Sequence, residues 1–342
     1  MSTTTSSFRR PLTALVLVSV LASCSSSTSS SDTTLPPEAS STSSPTASTS
    51  TTIATANSTA ASSATSETIV NAWVGSPLDT TKLPIGTSQV SLTAAKVGGL
   101  YSCSAGNPNG GGGSGQLGPW INEANSTWNM ALKASVQGSV SWPMATYSEV
   151  ISGSSRNITS NGLPVNQVTG VFPIASSDPV HQYDGNPNSI RSSDITVSLP
   201  VTPSKAGSVS CLGKGRVGIL KNGVSLFASV DAQNRDAIVY ETQDKCDGHP
   251  QQQGTYHYHA IPSCIRDATT GPSTVVGFAN DGFPIVIERN AKSELPTNAD
   301  LDKCHGRTSR IVLDGKVVSM YHYSATYEFP YFIGCYTGTP VP

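Results

Sequence analysis

From Thr68 onward, short apolar runs rich in Val, Ile, Thr and Tyr alternate with clusters of Gly, Pro and Asn. Runs of that kind with period-two alternation predict β-strands, and the clusters between them predict turns. Sustained 3.6-residue periodicity is missing, apart from residues 121–133, which fit a short helix. The expected fold is therefore mainly β, built from antiparallel sheets. The first 67 residues follow a different pattern. Leu12 to Ser23 is almost wholly apolar after a basic Arg9-Arg10 pair, too short to span a bilayer but of signal-peptide length. Residues 25–67 are nearly all Ser, Thr, Ala and Pro. They cannot bury enough surface to offset ordering entropy, so a flexible tether is expected there. The predicted organisation is an export signal over 1–24, a tether over 25–67 and a β domain over 68–342.

Within the β region the pattern recurs. Val217-Gly218, followed by Asn222-Gly223, is matched by Val276-Gly277, followed by Asp281-Gly282. Asn-Gly and Asp-Gly between apolar runs suit two-residue hairpins, whose central positions both favour positive φ. Asp244-Lys245-Cys246 is matched by Asp302-Lys303-Cys304, and Tyr256-His257-Tyr258 by Tyr321-His322-Tyr323. Each set closes on a cysteine, Cys264 or Cys335. Four features in the same order at a nearly constant offset point to a degenerate internal duplication, with copies at 217–264 and 276–335, packed about a pseudo-twofold axis.

Charge and cysteine content narrow the class. A formal net charge of −2 and a charged fraction of 12% argue against nucleic-acid binding, which needs a basic stripe, and none is visible, so no such partner is expected. Leu21-Ala22-Ser23-Cys24 resembles the lipobox of bacterial lipoproteins. That resemblance implies a lipid on Cys24 and a membrane-anchored place in the cell envelope, on the periplasmic or surface side. Of seven cysteines, Cys103, Cys211, Cys246, Cys264, Cys304 and Cys335 then remain, an even set as in disulfide-bonded exported proteins. Spacing alone allows every pairing. The repeat favours Cys246 with Cys264 and Cys304 with Cys335, leaving Cys103 for Cys211.

The run from Asp244 through His249-Pro250 to Tyr256-His257-Tyr258-His259 resembles the YHYH-domain family. So do Gly277 to Ile285, Leu301 to Cys304, and Phe329 to Cys335, with Gly118-Pro119-Trp120 and Asn186-Pro187-Asn188 upstream. The resemblance runs from about residue 100 to the end. It implies an exported protein and no particular reaction. The second copy departs from the pattern, with Arg307 after Gly306 and Ser324 after Tyr323.

Five of the six histidines fall in the repeat. On a strand, His257 and His259 share one face, about 6.6 Å apart, and Tyr256 and Tyr258 share the other. Two imidazoles at that spacing can lean toward one ion, with Zn–N bonds of about 2.0–2.1 Å, and His249 is close enough in sequence to return as a third ligand. The candidate metal set is His249, His257 and His259, with His322 or His305 contributing from the second copy. Copper and zinc both suit imidazole. Asp244, Asp247 and Asp281 are candidates to orient the imidazoles. The same histidines also fit a structural role, each donating to a carbonyl or carboxylate. In that case the domain is a surface module that binds a protein or glycan partner through aromatics such as Trp120, Trp128 and Trp142. Acid–base hydrolysis by the histidines is a third reading, and no catalytic residue or reaction class is singled out. His181 is expected at the surface or in packing, and the Gly110–Gly113 run as a loop without the Gly-Lys-Ser/Thr of a phosphate-binding motif.

Overall fold

The computed structural model describes residues 68–110 and 116–342. The signal, Cys24, the tether and most of the Gly110–Gly113 run lie outside the described residues. The described chain is mainly β, as the alternation predicts, with many short strands and two one-turn helices. Eleven of the strands frame the site. β1 (Tyr147–Ser152), β2 (Ser155–Ser160) and β3 (Ile195–Pro200) form an antiparallel sheet with β2 in the middle. β4 (Arg216–Leu220), β5 (Ser225–Phe227), β6 (Gly248–Pro250), β7 (Tyr256–Tyr258), β8 (Ser273–Ala279), β9 (Pro284–Glu288), β10 (Gly306–Leu313) and β11 (Lys316–Ser324) form the main sheet. The one-turn helix α1 (Ala237–Tyr240) lies between β5 and β6, and α2 (Ser263–Arg266) follows β7.

The main sheet runs β6-β7-β5-β4-β8-β9-β11-β10. The order is symmetric about the central antiparallel pair, in which Ile219 of β4 faces Phe278 of β8. Hairpins β4–β5 and β8–β9 flank that pair, and hairpins β6–β7 and β10–β11 form the two ends. The joints between them, β5 with β7 and β9 with β11, are parallel. The registers correspond. Ser225 pairs with His257 as Ile285 pairs with Tyr323 one step along, and His249 opposes His257 as Arg307 opposes His322. Residues paired across neighbouring strands project from the same face. One row therefore crosses the sheet through His249, His257, Ser225, Ile219, Phe278, Pro284, His322 and Arg307.

Packing separates the two faces. At the centre of the row, Ile219 and Phe278 pack with Ile158, Val197 and Leu199 of the small sheet. That contact covers the middle and leaves the two ends of the row to other neighbours. On the other face Tyr256, Tyr258, Tyr321 and Tyr323 enter the main core with Leu83, Trp128 and Phe332. Their hydroxyls are all satisfied, Tyr256 donating to Asp244 (2.8 Å), Tyr321 to Asp302 (3.0 Å) and Tyr323 to Asp281 (2.5 Å), while Tyr258 accepts from Asn222 (3.1 Å).

Three disulfides join Cys103 to Cys211, Cys246 to Cys264 and Cys304 to Cys335, the pairing the repeat favours. The second spans the hairpin β6–β7 and the third spans β10–β11, so each end of the sheet is closed by its own crosslink.

Several local expectations need correction. Residues 121–133 are not a helix: Ile121–Asn122 and Thr127–Trp128 pair as strands, with 3₁₀ turns at Glu123–Asn125 and Met130–Leu132. The Asn-Gly and Asp-Gly hairpins have three-residue loops, closed by Leu220 N–H to Val224 O and Ala279 N–H to Phe283 O. Only Gly223 (φ 88°) and Gly282 (φ 86°) take positive φ, as expected of a turn that ends in a left-handed glycine. Trp120 and Trp128 are buried in the core and offer no exposed aromatic platform.

Candidate metal centre

The β6–β7 end of the row carries three buried imidazoles. Cross-strand pairing sets His249 beside His257, and two-residue periodicity returns His259 to the same face just past β7. One ligand nitrogen from each lies within 4.8 Å of those of the other two, so the triad could hold a metal ion. Phe227 stacks on the His257 ring at 4.1 Å between centroids and backs the cluster. The other side opens to a cavity of about 620 Å³ lined by polar residues that include Asp184, Asn186, Lys214 and Gln251.

Hydrogen bonding decides which nitrogens are free. His257 Nδ1 lies 3.1 Å from Thr255 O and His259 Nδ1 lies 2.6 Å from Ala228 O. A carbonyl oxygen only accepts, so both Nδ1 atoms carry the proton and both Nε2 atoms carry a lone pair in the neutral ring. Those two Nε2 atoms face each other at 3.1 Å. Burial pulls the His257 and His249 pKa values well below the usual imidazole range, with the neighbouring imidazoles adding to the effect, and burial lowers that of His259 to about 4. Neutral rings are thus favoured, and a proton shared between the two Nε2 atoms is not. Two converging lone pairs at this separation are close to the edge of a tetrahedron with 2.0–2.1 Å bonds, about 3.3 Å.

Glu241 completes the cluster. Its Oε2 lies 3.3 Å from His259 Nε2 and 3.5 Å from His249 Nε2. Neither that oxygen nor His249 Nε2 has a hydrogen-bond partner. Burial, with Asp231 and Asp184 adding negative charge, raises the Glu241 pKa well above the ordinary carboxyl value. A cation at this point would be met by a carboxyl oxygen and three imidazole nitrogens. Glu241 follows α1, and Lys133 holds that segment from behind: its ammonium donates to Glu241 O (3.0 Å) and also to Ile238 O and the Gln243 side chain.

The structure gathers His249, His257 and His259 as the spacing suggests, and separates the other two candidates. His322 lies in the same row but five strand spacings from His257, on the order of 25 Å along the sheet. There its Nε2 is 3.0 Å from Glu288. His305, with φ 68°, instead places Nε2 3.0 Å from Thr326 Oγ1. None of the three aspartates orients an imidazole. Asp244 and Asp281 bind tyrosines on the opposite face, and Asp247 accepts from Ser263 N–H (2.6 Å). Backbone carbonyls do the orienting instead. Glu241 and Lys133 have no mark in the sequence beyond an acid following an apolar run. Glu241 lies outside the recurring motifs, and Lys133 is more than a hundred positions away from it.

Fold and site define a mainly β, disulfide-braced protein with a buried cluster of three histidines and one carboxylate at the edge of a cavity. Residues 196–297 match the family model described as YHYH protein, and the chain carries the YHYH domain over that span. The match contains the whole cluster except Lys133, ends before β10, and is narrower than the resemblance read from sequence. No curated protein matches the chain, and no solved structure does.

Proposed function

We propose that this protein is an exported YHYH-domain lipoprotein that binds one copper or zinc ion at His249, His257, His259 and Glu241. The observation that carries the reading is the pair of Nε2 lone pairs held 3.1 Å apart while both Nδ1 protons are committed to backbone carbonyls. Two facing imidazole nitrogens beside a carboxyl oxygen that has no hydrogen-bond partner form an arrangement a cation would satisfy. Imidazole and carboxylate together suit zinc and copper. An ion here would also face the cavity, where a bound water could be made acidic. Among the described residues no helix is long and apolar enough to cross a membrane. In this reading the membrane attachment is the lipid on Cys24, and three disulfides support an oxidising compartment.

The test is elemental analysis of the chain from residue 68 onward, purified without a metal-affinity tag, beside its His257→Ala/His259→Ala variant. Near-stoichiometric copper or zinc in the parent, absent from a variant that still melts cooperatively, is the expected result. A parent that stays empty after exposure to both ions would sink the metal reading. For the anchor, Cys24→Ala in the full chain should move the protein from the membrane to the soluble fraction.

A further inference from the structure

The opposite end of the row has the same framework with different contents. Arg307 stands where His249 stands, His322 where His257 stands and Ser324 where His259 stands, in the corresponding registers. His322 Nδ1 lies 3.2 Å from Met320 O, two residues back, just as His257 Nδ1 lies 3.1 Å from Thr255 O. Its Nε2 is therefore aimed at the equivalent point. A buried carboxylate sits there too, but Glu288 supplies it from β9. Its Oε2 is 3.0 Å from His322 Nε2 and accepts from Ser324 Oγ (2.8 Å). Its Oε1 accepts from Ser309 Oγ (3.1 Å) and from Arg307 Nε (3.3 Å), and forms an ion pair with Arg307 Nη2 at 3.1 Å. Trp73 covers the guanidinium at 4.6 Å, and Asn71 Oδ1 accepts from its Nη2 at 2.9 Å.

We propose that this end is a second metal-site scaffold, left by duplication of one β unit, in which the Arg307 guanidinium takes the place of the ion. The proposal rests on the metal reading of the first cluster for its logic. Its test is independent of that reading. A fixed guanidinium brings one positive charge to the carboxylate and needs no free imidazole lone pair, so a third imidazole has no function there. Replacing Arg307 by the smaller histidine removes the built-in cation and restores a third donor beside His322 and Glu288. Two imidazoles and one carboxylate are a sufficient set for a divalent transition metal.

The experiment uses the full chain carrying His257→Ala/His259→Ala, so that the first cluster is out of play, with and without Arg307→His. Both proteins are titrated with Co²⁺ and followed by visible absorption and by ion-to-protein ratio. The expected result is a gain of about one Co²⁺ per chain on adding Arg307→His. In the chain with the first cluster intact, the same substitution should add one ion to whatever the parent binds. A cooperatively folded variant that gains no ion in either background overturns the proposal, whether or not the parent holds metal. If Arg307→His does not fold, Arg307→Ala decides. Zn²⁺ should raise its melting temperature by several degrees and leave the parent's second end unaffected, as ligand linkage requires. An equal Zn²⁺ response in Arg307→Ala and its parent overturns the proposal as well.

Discussion

The two ends of the main sheet solve one electrostatic problem in opposite ways. At the β10–β11 end a buried carboxylate is matched from within the protein: Arg307, His322, Ser309 and Ser324 all address Glu288, and Trp73 closes the site. Burial works against ionisation of Glu288, yet the His322 hydrogen bond and the His322 and Arg307 charges outweigh it and bring its pKa down to about 2. At the β6–β7 end Glu241 meets two imidazoles at 3.3 and 3.5 Å but no guanidinium or hydroxyl on Oε2, its pKa rises with burial, and a cavity lies open beside it. The same strand pairings thus hold a self-neutralised cluster at one end and an unsatisfied one at the other. One end closes on its own charges, and the other presents imidazole nitrogens that could hold a metal ion.

The contrast can be broken most forcefully at Glu288. Glu288→Gln leaves the Arg307 guanidinium without its counter-charge and should cost about 3–5 kcal/mol, read as a large drop in denaturant midpoint. Glu241→Gln in metal-free protein should cost almost nothing, and a comparable loss there would erase the distinction. The pH dependence follows from the same group. Because the Glu288 pKa is depressed from 4.5 to about 2, its contribution is complete above pH 4.5 and is lost as the pH falls toward 2. Acid unfolding of Glu288→Gln should therefore lack that component, a difference that urea melts between pH 5 and pH 2.5 will register.

Next come the crosslinks. Cys246→Ser/Cys264→Ser and Cys304→Ser/Cys335→Ser should each cost about 3–4 kcal/mol by chain entropy. Only the first pair encloses all three histidines, so it alone should also weaken Zn²⁺ binding in calorimetric titration. Equal loss of affinity from both would mean that the ends are coupled through the sheet. Glu241→Gln should lower Zn²⁺ affinity by at least about 10–100-fold, because losing a ligand costs no less than losing a group that only orients one, with no change in melting temperature of the metal-free chain. The smallest effect is expected from Trp73→Ala, which removes the stacking on Arg307 and should destabilise by about 1 kcal/mol. It should leave metal content at the first end unchanged.

Much of this architecture was legible in the chain. Period-two alternation announced strands because adjacent side chains on a pleated backbone point to opposite faces, and that rule alone put His257 and His259 together and the tyrosines behind them. The order of recurring motifs anticipated two of the disulfides, Cys246–Cys264 and Cys304–Cys335, and the third followed as the remaining pair. The same motif logic misled where it treated all five repeat histidines as one set. His322 holds in β11 the register that His257 holds in β7, and β11 lies toward the far end of the sheet.

What the amino-acid sequence determined by itself, then, is local: strand character, facing, the neighbouring imidazole pair and the cysteine partners of each hairpin. Each of these depends on backbone geometry over a few residues. Tertiary structure decided the rest. The segment after α1 brings Glu241 to the histidines, Lys133 arrives from a distant stretch to hold it, and β9 lends Glu288 to the other end. Those groups are set by which strands become neighbours and by what burial does to a charge, and neither quantity is written in the spacing of residues along the chain.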